Sequence, residues 1–282
     1  MQKAKSKNLL LEIQERLEAI YGDRESLSIA KHYLLDRHDV NAIDLTLNKE
    51  ITFLAAQFEN DLNALSKGVP YQHVVGFTYF LNHKFETNAN ALIPRPETEE
   101  LVDWIIKGSL TPNPVILDIG TGTGCIPISL KLALANSSCT GFDVSLEALE
   151  LALKNAKNLR AEVNFESHDI LQEDLKQGEY DIIVSNPPYI PQMEKSNMHE
   201  NVTAHEPEIA LFVPDNDPLL FYRNIAEKSL FGLKKGGHLY FEIHENYGLK
   251  TQKLLVDLGY SAVTLKKDLQ GKDRMISAQK SS

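Results

Sequence analysis

The stretch Val115-Ile116-Leu117-Asp118-Ile119-Gly120-Thr121-Gly122-Thr123-Gly124 decides the fold. A short apolar run bounded by glycines reads as a buried strand, and the apolar residues from Ile126 to Leu134 read as the helix that follows it. Outward from this unit the chain keeps alternating. Thr140–Asp143 predicts a strand, and Leu146–Lys157 a helix capped by Ser145. Val163–Glu166 and Tyr180–Ser185 predict strands, Leu219–Phe231 a helix, His238–Ile243 a strand and Tyr247–Leu258 a helix. Ala262–Leu265 and Arg274–Ala278 predict a closing antiparallel pair. Such alternation implies an α/β fold, a doubly wound and mostly parallel sheet with an antiparallel closing strand.

Upstream the pattern changes. Leu9, Leu10, Ile13, Leu17 and Ile20 share one helical face, and Gly22 offers a stop. Leu27, Ala30, Tyr33 and Leu34 mark a second helix. Ile51, Leu54, Ala55, Phe58, Leu62 and Leu65 mark a third, closed by Gly68 and Pro70. Phe77–Phe80 and Lys84–Thr87 flank Asn82-His83 and predict a β-hairpin. The expected organisation is a small all-helical domain over 1–70, a β-hairpin linker over 71–91 and the α/β domain over 92–282.

The 282 residues are 43% apolar and 24% charged, ordinary globular composition, with a net charge of -10. That acidity opposes non-specific adsorption to nucleic acid or anionic membranes. Cys125 and Cys139 cannot build a disulfide framework or a four-cysteine zinc site; both read as small apolar packers in a reducing compartment. The longest uncharged stretch, from Gly68 to His83, contains Pro70, Gln72 and Gly76 and does not read as a membrane span. The apolar run Leu9–Leu11 is too short for a signal peptide. A cytoplasmic protein is expected.

Glycines at 120, 122 and 124 let the backbone turn sharply and approach a ligand closely, with the free N–H groups of a helix start beyond them. Two cofactor classes use such loops. The dinucleotide fingerprint G-x-G-x-x-G/A, started at Gly120, would put its third small residue at Cys125, a poor match. The observed D-x-G-x-G-x-G spacing resembles the loop of class I methyltransferases, which bind S-adenosylmethionine. In that arrangement Gly120, Thr121, Gly122, Thr123 and Gly124 cradle the cofactor. Asp118 faces its cationic amino group, directly or through water. Asp143, ending the next strand, accepts the two ribose hydroxyls. Asp169, after the third strand, is a candidate neighbour of the adenine, with a turn or helix-cap role as its alternative. A glycine-rich turn holding no ligand is the simpler reading, and two acids at these offsets weigh against it.

The fourth strand ends in Asn186-Pro187-Pro188-Tyr189, at the strand end where doubly wound sheets place their chemistry. Asn186 offers a side-chain carbonyl, Pro187 a backbone carbonyl in a turn stiffened by Pro188, and Tyr189 a flat face. Two acceptors and a flat face suit a planar NH₂ conjugated to a carbonyl or ring. Such a nitrogen is a weak nucleophile, and hydrogen bonds to its protons raise its electron density. Catalysis is then positioning and electrostatics, with no metal. A Pro-rich turn with a packed tyrosine is the alternative. Pro94–Glu99 reads either as an ordinary helix start, Pro followed by acids, or as a lip over the methionine end of the cofactor. His199 with His205, and His238 with His244, lack metal-ligand spacing.

Together, Pro70–Gly76, Leu92–Glu99, Asp118–Gly124, Asn186–Tyr189, Glu206-Pro207, Gly236-Gly237 and Asp273-Arg274 resemble the HemK/PrmC family. These are the glutamine N5-methyltransferases of peptide chain release factors. The resemblance spans nearly the whole α/β part; the N-terminal helices agree only in kind and length. It implies an S-adenosylmethionine-dependent enzyme. Its partner would be a class I release factor, whose Gly-Gly-Gln loop supplies the glutamine carboxamide. Gly120–Gly124 and Asp143 would bind the cofactor, and Asn186, Pro187 and Tyr189 would hold the glutamine. The acidic net charge and the lack of a long apolar stretch lead us to expect no stable nucleic acid and no membrane among the partners. One rival is a DNA or RNA amino-methyltransferase acting on adenine N6, cytosine N4 or guanine N2, which needs a flipped base and a basic surface. Residues 71–282 instead carry twenty basic and twenty-eight acidic side chains. The other rival is a non-catalytic binding module, which a broken loop or a missing Asn186 would have signalled.

Overall fold

The computed structural model describes residues 1–109, 111–198 and 200–281. The chain divides into two compact units. One holds Met1–Phe77 with the later short helix Glu200–His205; the other holds Thr78–Met198 and the chain from Glu206 onward.

The N-terminal unit is mainly helical, as expected. The predicted break at Gly22 is a kink inside Ser6–His38, where Gly22 takes φ 72° and ψ 168°. Leu9, Ile13 and Leu17 before it, and Ala30, Tyr33 and Leu34 after it, are buried in one core with Phe58, Leu62 and Leu65 of the helix Ala55–Leu65. The all-helical expectation needs one correction. Gln2–Lys5 pairs antiparallel with Glu50–Phe53, so Ile51 lies on a strand and the third helix starts only at Ala55. Ile51 and Phe53 are buried while Glu50 and Thr52 are exposed, a period-two pattern. The spacing Ile51–Leu54–Ala55 also fits a helix, but Leu54 is exposed; four residues are too few for periodicity to separate the two readings.

Phe77–Phe80 and His83–Glu86 form the predicted hairpin as a two-stranded sheet. Its turn falls on Leu81 and Asn82, one residue earlier than expected. Both take positive φ, 46° and 64°, as tight two-residue hairpin turns require. The Leu81 N–H donates to Glu99 Oε1 at 2.8 Å, which fixes the turn there.

In the second unit the alternation holds throughout. In chain order its principal elements are α1 (Pro96–Gly108), β1 (Val115–Ile119), α2 (Cys125–Ala133), β2 (Ser138–Asp143), α3 (Leu146–Leu159), β3 (Val163–Ser167) and β4 (Tyr180–Ser185). Then come α4 (Leu220–Gly232), β5 (Leu233–Glu242), α5 (Gly248–Asp257), β6 (Tyr260–Lys267) and β7 (Asp273–Lys280). Seven strands form one sheet in the order β6-β7-β5-β4-β1-β2-β3. Strands β1 to β5 run parallel, and β7 runs antiparallel to both β5 and β6.

Alternate side chains of each strand enter opposite cores. Leu117, Ile119, Ile183, Leu239 and Phe241 pack with Tyr222, Ile225 and Ala226 of α4 and Leu255 of α5. Ile116, Ile182, Val184 and Tyr240 pack with Leu101, Val102 and Ile105 of α1 and Ile126, Ile128 and Leu130 of α2. A sheet covered on both faces explains why its central strands read as continuous apolar runs.

Candidate active site

Register builds the site. Ile119 of β1 lies opposite Phe142 of β2 and Ser185 of β4, and Ser185 lies opposite Phe241 of β5. The next residue along each strand direction is Gly120, Asp143, Asn186 or Glu242. These four therefore stand in one row at the carboxyl edge of the sheet. The chain order reverses between β1 and β4, the switch point at which open α/β sheets bind ligands. The Ser185 hydroxyl donates to the Ile119 carbonyl at 2.6 Å and ties the two central strands together there.

The glycine loop is locked to β2. The N–H groups of Gly120 and Thr121 both donate to the Phe142 carbonyl at 2.9 Å. Gly120, Gly122 and Gly124 all take positive φ, at 75°, 53° and 77°, so each needs glycine's conformational freedom. Their surroundings differ. A Cβ on Gly120 would meet nothing within 4 Å, whereas on Gly124 it would meet Ile128, Ala152 and Phe165 at 3.0–3.2 Å. Gly120 keeps space open above the loop; Gly124 lets α2 pack close.

Asp143 accepts the Gly122 N–H at Oδ2 (2.8 Å) and the Ser145 N–H at Oδ1 (3.0 Å). The Ser145 hydroxyl caps α3 by accepting from the Ala148 N–H at 3.1 Å, as its position predicted. Each Asp143 oxygen retains a lone pair for a further donor.

Asp118 is fully buried, and among the described residues neither of its carboxylate oxygens meets a hydrogen-bond donor at bonding geometry. Burial pushes its carboxyl up to about 7; the nearby Thr121 hydroxyl opposes the rise and the Asp143 charge adds to it. An orphaned buried acid is costly and fits a cationic group brought close by a ligand.

A cavity of about 280 Å³ opens at this row. Its walls include Ala91 to Leu92, Gly120 to Thr123, Asp143 to Ser145, His168 to Leu171, and Asn186 to Pro188. Asp118 and Gly124 lie behind that wall. Asp169 borders the cavity; its Oδ1 accepts the Leu171 N–H (2.9 Å) and its Oδ2 the Gln172 side chain (2.7 Å), a turn role that, as at Asp143, leaves each oxygen a lone pair.

Pro94 to Glu99 combines both of its expected roles. Pro96 and Glu97 open α1 as an ordinary helix start, while Pro94, Arg95 and Thr98 line the cavity. Glu206 holds this lip: its buried carboxylate accepts the Ile93 N–H at 3.0 Å and pairs with Arg95 at 2.5 Å.

Tyr189 is placed differently from Asn186, Pro187 and Pro188. It does not line the cavity. Its hydroxyl donates to Glu242 Oε1 at 3.0 Å, and its ring stands edge-on to His244. Burial and the Glu242 charge push its phenol well up, so it remains a neutral donor. The other Glu242 oxygen accepts the Thr98 hydroxyl at 2.6 Å, and Thr98 Oγ1 accepts the Asn186 side-chain N–H at 3.2 Å. The sequence places Thr98 only within the Pro94–Glu99 lip and assigns no role to Glu242. A carboxylate closing the apolar run Leu239-Tyr240-Phe241 was the available signal.

Cys125 and Cys139 are buried packers; burial pushes the Cys125 thiol up to about 12. His199 lies outside the described residues. Among the described residues no helix is long and apolar enough to cross a membrane.

The family model described as "Methyltransferase small domain" matches residues 102–208. The crystal structure of a methyltransferase from Pyrococcus furiosus superposes with a TM-score of 0.53 at 18% identity, covering 80% of this chain and 98% of that one; it shares the fold. The release factor glutamine methyltransferase of Flavobacterium psychrophilum is 45% identical over 96% of this chain and 97% of its own length. That of Bacteroides thetaiotaomicron is 42% identical over 95% and 98%. Sheet order, glycine loop and paired acids define a class I methyltransferase, whose methyl donor is S-adenosylmethionine. Within that class, the chain belongs to the release factor glutamine methyltransferase family.

Proposed function

We propose that this enzyme transfers a methyl group from S-adenosylmethionine to the side-chain amide nitrogen of the glutamine in the Gly-Gly-Gln loop of class I peptide chain release factors. The observation that carries the reading is the Asn186 amide. Its NH₂ is engaged by Thr98, so its carbonyl is left to accept from a substrate N–H at the cavity.

The residues that hold the cofactor are the Gly120–Gly124 loop, Asp143 and, through its buried charge, Asp118. When bound, S-adenosylmethionine supplies an electrophilic methyl on a sulfonium. The protein's own part is to place the acceptor. Asn186 Oδ1 and the Pro187 carbonyl take the two amide protons of the glutamine, fixing its plane and raising electron density on nitrogen. Pro188 stiffens the turn, and Tyr189 acts by holding Glu242. Losing one such transition-state hydrogen bond costs about 10²–10³ in rate.

Residues 1–70 recognise the release factor, 71–91 link, and 92–282 carry the reaction. A chain lacking residues 1–70 should bind cofactor yet methylate intact release factor poorly; full-rate methylation would refute the recognition role. The enzyme works in the cytoplasm, where its substrate is, and holds no nucleic acid stably, in keeping with its net charge of -10. Incubation with labelled cofactor and either release factor or DNA tests the reading: label on DNA in place of the release factor would overturn it.

A further inference from the structure

We propose that Glu242, acting through Thr98, is the positioning residue that fixes which end of the Asn186 amide faces the substrate. The proposal rests on the reading that Asn186 accepts an N–H of the glutamine carboxamide.

The argument is a count of protons. An asparagine amide has an NH₂ end that only donates and an oxygen end that only accepts, and the two have nearly the same shape. Packing alone does not choose between them. A threonine hydroxyl has one proton. Here that proton goes to Glu242 Oε2 at 2.6 Å, so toward Asn186 the Thr98 oxygen can only accept. The Asn186 NH₂ must then face Thr98, and its oxygen must point away from it. Tyr189 donates to the other Glu242 oxygen at 3.0 Å, which holds the carboxylate from both sides.

Ionised Glu242 thus sets the direction of the whole chain, Asn186 to Thr98 to Glu242. Successive hydrogen bonds of one polarity reinforce each other and make Asn186 Oδ1 a stronger acceptor. A protonated Glu242 could donate to Thr98 and reverse the chain. Thr98 would then donate to Asn186, presenting the NH₂ to a substrate that itself has only protons to offer.

Glu242 and Thr98 are both nearly inaccessible to solvent, at 1% and 2%. Burial raises the Glu242 carboxyl; the Thr98 and Tyr189 hydroxyls and the Arg274 charge oppose the rise, and Glu97 adds to it. Tyr222 and Cys125 also feel its charge, and both are pushed up, chiefly by burial, so neither adds a charge of its own. The Thr98 and Tyr189 hydroxyls both donate to the carboxylate, which favours its charged form.

Thr98→Val keeps the shape and removes the relay; Thr98→Ser keeps the hydroxyl. At saturating cofactor and release factor, Thr98→Val should lower kcat by about 10–100-fold. KM for the release factor and calorimetric affinity for S-adenosylmethionine should stay within about twofold. Thr98→Ser should recover most of the rate. The wild-type advantage over Thr98→Val should shrink as pH falls and Glu242 protonates. Wild-type kcat in Thr98→Val alongside an impaired Asn186→Ala overturns the relay and leaves the role of Asn186 standing. Wild-type kcat in Asn186→Ala overturns both. Equal losses in the Val and Ser variants, or a rate loss matched by lost cofactor affinity, would mean that Thr98 is only structural and would overturn the proposal.

Discussion

The backbone N–H of Gly122 donates to Asp143 Oδ2 at 2.8 Å. The glycine loop after β1 and the acid after β2 are therefore one unit, and the acid is aimed before any ligand arrives. Preorganisation of this kind lowers the ordering cost of binding.

Asp143→Ala removes two things at once, the acceptor for the ribose hydroxyls and the brace on Gly122 and Ser145. Each hydrogen bond to a charged acceptor is worth about 1.5–3 kcal/mol. Affinity for S-adenosylmethionine should fall at least about tenfold, since 1.4 kcal/mol is one decade. Calorimetry finding unchanged affinity would show that the ribose lies elsewhere.

The loop glycines should separate into two kinds. Gly124→Ala forces a Cβ to 3.0–3.2 Å from Ile128, Ala152 and Phe165. It should cost about 1–3 kcal/mol of fold stability through overpacking and left-handed strain. Gly122→Val, on the cavity wall with Ala91 the nearest described neighbour at 3.8 Å, carries left-handed strain at its φ of 53° but no overpacking. It should in addition lose cofactor binding, which Gly124→Ala should largely keep. Denaturant melts and binding isotherms on both variants decide; the opposite ranking would contradict the assignment.

Asp118 gives a pH dependence with a defined sign. An ordinary Asp carboxyl titrates near 3.9, and burial pushes this one up to about 7 in the fold. The folded chain therefore holds an extra proton between those values. Its contribution to stability is full below about pH 4 and is lost as pH rises through 7, by up to about 4 kcal/mol. Against the wild type, Asp118→Asn should gain stability on going from pH 5 to pH 8. Cofactor binding near pH 6 should expel a proton in the wild type but not in Asp118→Asn. Calorimetry in two buffers of different ionisation enthalpy reads this, and equal proton release in both proteins would rule it out.

Much of this was legible in sequence because a buried parallel sheet imposes strong local patterns. Tyr180–Ser185 is a strand with the predicted bounds, and Ser145 caps α3 as its place before an apolar period suggested. The pairing of Gln2–Lys5 with Glu50–Phe53 was not legible, since a long-range contact between two four-residue segments leaves little periodicity. Nor was the role of Tyr189 as the anchor of Glu242: the two are fifty-three residues apart and meet only through the β4–β5 register. Counted as acceptors alone, an Asp at 186 would partly replace Asn. With the Thr98 proton committed to Glu242, an ionised Asp has nothing to donate and meets lone pairs. Asn186→Asp should therefore be no faster than Asn186→Ala, and an intermediate rate would count against the proton order described.

The most direct test is single-turnover methylation of a release factor bearing the Gly-Gly-Gln loop, at saturating S-adenosylmethionine, read by mass spectrometry of the loop peptide for the wild type and Asn186→Ala. The account predicts one methyl group on the glutamine side-chain nitrogen, appearing about 10²–10³ more slowly in the variant with cofactor affinity intact. A methyl group on any other residue, or a wild-type rate in Asn186→Ala, would contradict it.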